Sequence, residues 1–518
     1  MTIRSLLMGL ALTSPLAAQE AWSPLRPLAD VMRAMPGVPA WPQVLDGHLT
    51  PVGLFWTAGN PAALAGILGT RATLGTGSKW EGGTYRRPLD PTSERVLSTG
   101  GWGWRPLGSG AVIGRVEAGQ RIARGATFSA SEAPYRSDPL VVIDTTAPDM
   151  RRVTALLEGG IGWQFGGWEA GVAVGQAFVS SNSTGTGFPR LLRRNVPSAS
   201  VGVSRRLPVI GGRIALGGRW QGESETILLP GQPRIGEAYI LVGNSEPDAI
   251  FVAGPSSLLF HRIDRTGLAA SVALEGTILG SRWTAWVERS GRRDEHRRQL
   301  RDPDPDVWRA RGWASGLGAQ FALGMHLVAT VSTELQTVDG NARLGALPDG
   351  DFLRSIERAF RMGIEVLWRP TDSWVGAVRV EATRDRRMVS DFLAGLSTDA
   401  LSIRTGTAIE LGRRLGPWGV AFGVALAGHA ATASLPNAAR MGPLYQTVMG
   451  PEVELAAIQS VPTALRAVLT RRTGRRSMVV LTGSWSRHAA SGVQEQLPLV
   501  PPGSRTTTAL RFGIVLGD

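Results

Sequence analysis

The chain contains no cysteine among its 518 residues, and Lys79 is its only lysine. The absence of cysteine excludes a disulfide-stapled miniprotein and agrees with an oxidising envelope compartment. Beyond its first residues the sequence has no run of about 18 consecutive apolar residues, so it predicts no transmembrane helix. It also lacks a charged or Pro/Ser-rich linker, which favours one large repetitive architecture over several separate domains.

Sequence patterns of enzymes and metal sites are missing as well. The six histidines follow no His-Glu-x-x-His or other zinc-ligand spacing. No Gly-x-Ser-x-Gly turn occurs, and residues 72–79 lack the first glycine of a phosphate-binding loop. We therefore expect no catalytic residue, no metal and no cofactor, and do not expect an enzyme. A barrel hydrolase stays open only as an alternative that needs a Ser–His or Asp–His pair which the sequence does not reveal.

Export is predicted by the first eighteen residues. Arg4 is followed by the apolar residues 6–12 and by small residues before Gln19, which is the pattern of a cleavable signal peptide. The net charge of +13 comes almost entirely from arginine. Such a charge suits nucleic acid, anionic lipid or an anion-conducting lumen, and export argues against nucleic acid as a partner.

The strongest signal is a period of two. Phe360, Met362 and Ile364 alternate with Arg361 and Glu365, so one face of this strand is apolar and the other is charged. The same alternation recurs around residues 268–278, 326–335, 374–383 and 510–516. Strands of a transmembrane barrel alternate in this way between lipid and lumen, whereas a soluble sandwich alternates between core and solvent.

Tryptophans beside tight turns favour lipid over a soluble core. Trp368 and Trp374 flank one turn, Trp418 follows Gly416-Pro417, and Trp283 follows another turn. Indole rings prefer the boundary between hydrocarbon and water, where they form an aromatic girdle. The pattern therefore predicts a barrel in the outer membrane, in contact with its lipid and with lipopolysaccharide, and inserted by the barrel assembly machinery.

Turns and connections predict the topology. Tight turns are expected at residues 207–212, 279–282, 323–325, 369–373, 415–417 and 473–476. Long connections are expected at residues 181–197, 223–265, 290–310, 337–355, 386–400, 429–450 and 489–505. We read residues 452–472 as one strand with a bend near Pro462, because both chain ends on one side require an even strand count. The barrel then has about 16 strands, or about 18 if residues 78–86 and 96–104 contribute.

Three regions follow from this layout. Residues 1–18 form the signal peptide, residues 19–77 an N-terminal periplasmic extension or a plug in the lumen, and residues 78–518 the all-β, antiparallel transmembrane barrel. The middle region differs from the barrel in its many prolines and in an amphipathic stretch around residues 28–35.

One short motif carries a resemblance to known proteins. Residues 59–64, Gly-Asn-Pro-Ala-Ala-Leu, follow the signal peptide and precede the predicted hairpins. The segment, with Asn60, Pro61 and Ala62, resembles the N-terminal signature of FadL-type outer-membrane transporters. It also looks like an uncharacterised outer-membrane barrel family of Bacteroidota and relatives. The FadL resemblance implies transport, a hatch and a barrel of about 14 strands, so the strand count favours the second family.

The sequence predicts a channel or transporter for small or hydrophobic solutes. The alternatives are a plugged envelope scaffold that binds partners without transport, and a soluble secreted β protein. Lumen-lining candidates are His326, Glu334, Arg361, Glu365, Arg379 and Glu381. The last four fall on consecutive strands, where they predict a salt-bridged ladder that narrows the barrel and leaves a pore weakly selective.

Overall fold

Eighteen strands form one closed antiparallel barrel in the computed structural model of the chain. The structure describes residues 60–66, 69–86, 90–125, 140–144, 149–183, 191–208, 211–229, 238–242, 248–249, 259–278, 280–297, 304–324, 326–345, 350–371, 373–392, 395–434, 460, 462–474, 477–489 and 503–517. The predicted signal peptide and most of the predicted N-terminal region lie outside these residues.

The elements of the described part are one 3-10 helix and twenty-one strands. The helix spans Pro61–Gly66. The strands are β1 (Arg71–Gly83), β2 (Ser93–Leu107), β3 (Gly110–Arg124), β4 (Leu140–Asp144), β5 (Met150–Phe165), β6 (Trp168–Ser183), β7 (Leu191–Leu207), β8 (Gly212–Leu229), β9 (Ala238–Val242), β10 (Asp248–Ala249), β11 (Leu259–Ile278), β12 (Ser281–Arg297), β13 (Asp306–Ala322), β14 (Leu327–Arg343), β15 (Leu353–Thr371), β16 (Trp374–Asp391), β17 (Leu396–Leu415), β18 (Trp418–Ser434), β19 (Thr463–Arg472), β20 (Ser477–Ala489) and β21 (Ser504–Gly517).

The barrel closes where its first and last strands meet. Strand β1 pairs with β2 on one side and with β21 on the other, with Arg71 opposite Gly517 and Gly83 opposite Arg505. Strands β3 and β5 pair directly, as do β8 and β11, because β4, β9 and β10 form a separate three-stranded sheet within the intervening connections. Closure leaves the barrel without an open edge, so the backbone groups of its wall are paired within the sheet.

The strand count is 18, the alternative that the sequence left open, rather than the preferred 16. The two strands in question are β1 and β2, and the barrel begins at Arg71, before the predicted boundary at residue 78. Both strands are rich in glycine, serine and threonine, and Trp102 of β2 faces the lumen instead of lipid. In β1 and β2 these residues weaken the alternation of apolar and polar side chains that predicts the other strands.

Short turns join the strands at one end of the barrel. All six predicted tight turns lie there, together with two more, at residues 108–109 and 166–167. Gly166 and Gly167 both have positive φ, of 50° and 83°, and connect Phe165 to its partner Trp168. A two-residue hairpin of this kind needs φ above zero at both central positions, which glycine adopts without steric cost. This turn end also holds Arg71 and Gly517, the ends of the wall.

At the opposite end the strands run further than the sequence predicted. Residues 386–400 were expected to be a long connection, but β16 continues to Asp391 and β17 starts at Leu396. A barrel strand needs only about 9 to 11 residues to cross a membrane. The 20 residues of β17 therefore project well beyond it on this side, which we call the loop end. Residues 463–472 form a single strand that starts directly after Pro462. Except for Ser460 and Pro462, the earlier part of the predicted strand over residues 452–472 lies outside the described residues.

The two faces of the wall differ in polarity. Outward side chains on the strands include Leu74, Val116, Leu268, Phe422 and Leu510, all large, apolar and exposed. The inward side chains at the same levels are polar, charged or small, as the burial pattern of β15 illustrates. No helix of the described residues is long and apolar enough to span a membrane.

Tryptophan–arginine pairs mark the outer surface near the turn end. Trp168, Trp374 and Trp418 are each the first residue after a tight turn, and each faces an arginine directly across the sheet. The guanidinium carbons of Arg205, Arg413 and Arg471 lie 5.1, 5.1 and 4.9 Å from the respective indole centroids. This geometry suits an interfacial girdle, with indole at the hydrocarbon boundary and guanidinium toward the headgroups.

Candidate functional site in the barrel lumen

The predicted charge ladder lies on the lumenal face of β14, β15 and β16. Glu334 is directly opposite Arg361, and Glu365 is directly opposite Arg379. Arg379 also forms an ion pair with Glu381 on its own strand. Glu365 and Arg379 are only 4% and 6% exposed. Opposite charges that face one another across strands stabilise the wall and fill the space beside it.

His326 differs from the other predicted lumen residues. It is exposed in the turn that precedes β14, where its carbonyl oxygen accepts a hydrogen bond from the backbone nitrogen of Arg369 at 2.7 Å. Its position one residue before the strand places it at the turn end, outside the ladder.

A second and more buried charge cluster was not predicted. Arg194 donates to Glu223 at 2.7 Å, and Arg265 contacts Glu223 and lies 2.9 Å from Glu225. Asp294 is 3.6 Å from Arg265. These residues lie on β7, β8, β11 and β12, although residues 181–197, 223–265 and 290–310 were all expected to be long connections. The period-two spacing of Glu223 and Glu225 was the signal that could have identified this strand.

The N-terminal helix binds the lumenal wall near the turn end. Asn60 donates from Nδ2 to the carbonyl oxygen of Leu216 at 2.7 Å, and its Oδ1 accepts from the backbone nitrogen of Ala62 at 2.9 Å. The side chain of Asn60 thus caps the helix and fixes it to β8 at once. The motif residues Asn60, Ala62 and Leu64 are all buried, so this part of the predicted N-terminal region lies inside the barrel.

Glycines on four neighbouring strands make room for this helix. They are Gly162 on β5, Gly171 on β6, Gly202 on β7 and Gly217 on β8. A Cβ atom on Gly171 would overlap the carbonyl oxygen of Pro61, and one on Gly202 would overlap the side-chain oxygen of Asn60. The helix therefore contacts bare backbone, which allows a closer approach than any other residue type permits. We call these four residues the glycine patch.

An apolar contact completes the binding of the helix. Ala63 packs with Ala215 of β8 and Ala273 of β11, and Trp286 of β12 lies against the same three residues. The wall from β5 to β12, with further contacts from β3, thus holds the segment through backbone contact, one side-chain hydrogen bond and a small apolar cluster.

The loop end contains one buried serine–histidine contact. The hydroxyl of Ser460 and Nε2 of His488 are 2.7 Å apart, and the ring of Tyr85 lies edge-on to His488 with centroids 5.0 Å apart. Ser460 is only 2% exposed, and Nδ1 of His488 has no hydrogen-bond partner among the described residues. A nucleophilic serine requires access for substrate and a third group that orients the histidine. The geometry therefore favours a structural contact that ties the β18–β19 connection to β20, with Tyr85 of the β1–β2 connection packed against His488.

The closed wall with its apolar outer face defines a transmembrane β-barrel, and the protein is an outer-membrane β-barrel protein. No family model matches the chain, and no curated protein does. Neither family resemblance that we drew from Asn60, Pro61 and Ala62 is thereby supported, and the 18 strands also exceed the count implied by the FadL type.

Solved structures of several outer-membrane transporters are similar to this chain. The FrpB iron transporter from Neisseria meningitidis has 9% identity and a TM-score of 0.47, over 87% of this chain and 81% of that one. The ferric citrate transporter FecA has 9% identity and a TM-score of 0.43, over 85% and 78%. The copper transporter OprC has 9% identity and a TM-score of 0.42, over 86% and 80%. Identities this low carry no information on substrate.

Proposed function

We propose that the protein transports small solutes across the outer membrane and that the segment at Asn60–Gly66 obstructs its lumen until it is displaced. The observation that carries the proposal is the fit between this segment and the glycine patch on the inner wall. A wall that only supported a barrel would have no need of four aligned glycines beneath a chain segment.

The character of the lumen supports small and polar solutes over hydrophobic ones. Its wall carries the ladder of Glu365 and Arg379 and the buried cluster around Arg265. Moving an apolar solute past these groups would gain no hydrophobic contact, whereas ions and polar molecules exchange hydrogen bonds with them.

Conductance in planar bilayers tests this function on the full chain. A Gly202→Ala variant would place a methyl group on the side chain of Asn60 and so displace the segment, which should increase the conductance. The matched control is Gly218→Ala, because Gly218 faces outward and its nearest side-chain neighbour, Val201, would lie 3.7 Å from the new atom. Heat modifiability on gels confirms that each barrel is folded.

The outcome separates transport from the scaffold alternative. Current steps that are larger in Gly202→Ala than in the wild type and in Gly218→Ala support a channel with a displaceable segment. An equally folded Gly202→Ala barrel that passes no current contradicts transport and favours the plugged scaffold. Equal currents in all three proteins would show that the segment does not obstruct the lumen.

A further inference from the structure

A recess lies in the wall beside the seam where β1 meets β21. Its lumenal side chains come from β1, β2, β3 and β21, and we call it the seam recess. They are Thr73, Ser98, Trp102, Arg115, Glu117 and Arg511. This part of the wall lies away from the ladder, and of its four strands only β3 also contacts the N-terminal helix.

Glycines form the floor of the seam recess. A Cβ atom on Gly77 would be 3.0 Å from Cγ of Arg511, so the arginine side chain crosses β1 directly over the glycine backbone. A Cβ atom on Gly100 would likewise be 3.2 Å from Cγ of Glu117. Larger residues at these positions would fill the recess and push both charged side chains aside.

Hydrogen-bond donors in the recess have no acceptor. The indole Nε1 of Trp102, the hydroxyl of Thr73 and Nε of Arg115 are buried, and none has a hydrogen-bond partner among the described residues. Trp102 and Thr73 are only 7% and 4% exposed. A buried donor without an acceptor costs about 1–3 kcal/mol, so several such donors around one cavity indicate a missing acceptor.

The side chains that line the recess carry more positive than negative charge. Glu117 is already engaged, because Arg115 forms an ion pair with it, and Arg115 lies 3.2 Å from Glu158 as well. Arg511 forms no ion pair with a carboxylate of the described residues. Its burial disfavours the charged form, the charge of Arg466 two strands away on the same face repels it, and the charge of Glu117 attracts it. The lining of the recess itself therefore holds two guanidinium groups and one carboxylate.

Aromatic rings lie at the turn-side edge of the recess. The rings of Trp102 and Trp104 are stacked, with centroids 4.8 Å apart and an interplanar angle of 29°. They add a planar apolar surface beside the donors. An acceptor that satisfies both features carries a negative charge at one end and a flat apolar body at the other.

We propose that the seam recess binds a small aromatic carboxylate. The carboxylate accepts from the guanidinium of Arg511 and from the indole nitrogen of Trp102, and its ring lies beside the Trp102–Trp104 pair. This inference rests on the proposed function, since it names the class of solute that the lumen would carry, but its test measures binding and requires no flux.

Isothermal titration calorimetry on the full chain in detergent is the direct experiment, with benzoate as the probe and benzyl alcohol as its neutral counterpart. We expect saturable binding of benzoate, at least tenfold weaker binding of benzyl alcohol, and a loss of about tenfold or more in affinity for benzoate in Arg511→Gln. The matched control is Arg384→Gln, because Arg384 is exposed on the outward face of β16 and should leave binding unchanged.

Three other results overturn the inference, and a fourth overturns only the proposed function. Equal binding of benzoate to the wild type and to Arg511→Gln removes the role of the recess. Tighter binding of inorganic phosphate, abolished by Arg511→Gln, would assign the recess to phosphate instead of a carboxylate. Benzoate binding without any conductance would contradict the proposed transport function and leave the binding site supported. Conductance without benzoate binding would contradict only this inference.

Discussion

Asn60 and Leu216 are joined by a hydrogen bond of 2.7 Å that connects the N-terminal helix to the inside of the barrel wall. The same amide accepts from the backbone nitrogen of Ala62. Replacing Asn60 with alanine leaves the Leu216 carbonyl and the Ala62 nitrogen without these partners, at a cost of about 1–3 kcal/mol to the bound state of the segment.

The absence of cysteine makes this loss measurable. In an Ala63→Cys background the only thiol lies at a buried position of the helix, so maleimide labelling reports how often the segment leaves the wall. We expect Asn60→Ala to accelerate labelling by about fivefold to a hundredfold. Asn182→Ala, at an exposed position on β6, is the matched control. Unchanged labelling in Asn60→Ala would show that the hydrogen bond does not hold the segment.

The ladder predicts an asymmetry between single and double substitutions. Glu365→Gln leaves the buried guanidinium of Arg379 opposite a neutral group, and Arg379→Gln leaves a buried carboxylate in the same position. Each single change should destabilise the barrel by about 1–3 kcal/mol, with Glu365→Gln at the lower end because Arg379 keeps its ion pair with Glu381, and the double variant by less than the sum. Urea unfolding in detergent micelles measures the difference. Arg384→Gln serves as the control, and additive effects would contradict direct coupling.

Much of the fold could be predicted because lipid and lumen impose a period of two on the sequence. In strand β15, Phe360 and Met362 face the lipid and are apolar, whereas Arg361 faces the lumen and can be charged. The tight turns were predictable from glycine and proline. The lengths of the strands beyond the membrane were not, because both faces of β17 near Asp399 meet polar surroundings and the alternation fades there.

The candidate site was predicted less completely, for a different physical reason. Five of the proposed lumen residues lie on strands that follow one another, so their alignment could be inferred from register alone. The contact of Asn60 with Leu216 joins residues 156 positions apart. It depends on barrel closure and on glycines of four strands, and each of those glycines resembles any other glycine in the sequence.

The tryptophan–arginine pairs should be coupled in energy. Trp374 and Arg413 face each other across β16 and β17 near the turn end of the barrel, with the guanidinium carbon 5.1 Å from the ring centroid. A double-mutant cycle with Trp374→Ala and Arg413→Ala should give a coupling of about 0.5–1 kcal/mol in lipid bilayers.

The cycle is measured by urea unfolding in bilayers of fixed thickness. A parallel cycle of Trp374→Ala with Arg105→Ala serves as the control, since Arg105 is an exposed arginine of β2 and belongs to none of these pairs. A coupling near zero for Trp374 and Arg413 would mean that the pairs share a membrane depth without interacting.

The last prediction concerns pH and His488, which lies at the loop end beyond the membrane-spanning part of β20. Burial, and secondarily the positive charge of Arg404, lower the pKa of His488 to about 4 from 6.5. The unfolded chain therefore binds a proton between these values while the folded chain does not. Stability from this group is present above pH 6.5, declines as the pH falls toward 4, and changes no further below that, for a loss of at most about 3 kcal/mol.

Urea unfolding in detergent at pH 7, 6, 5 and 4 measures this decline. A His488→Asn variant cannot titrate, so its stability should fall less steeply over the same interval, even if the lost contact with Ser460 lowers its stability at pH 7. His326→Asn is the control, because that histidine is exposed in a turn and its replacement should leave the slope of the wild type unchanged. The predicted quantity is the slope of the unfolding free energy against pH. An equal slope in His488→Asn and wild type would therefore rule out His488 as the source of acid sensitivity.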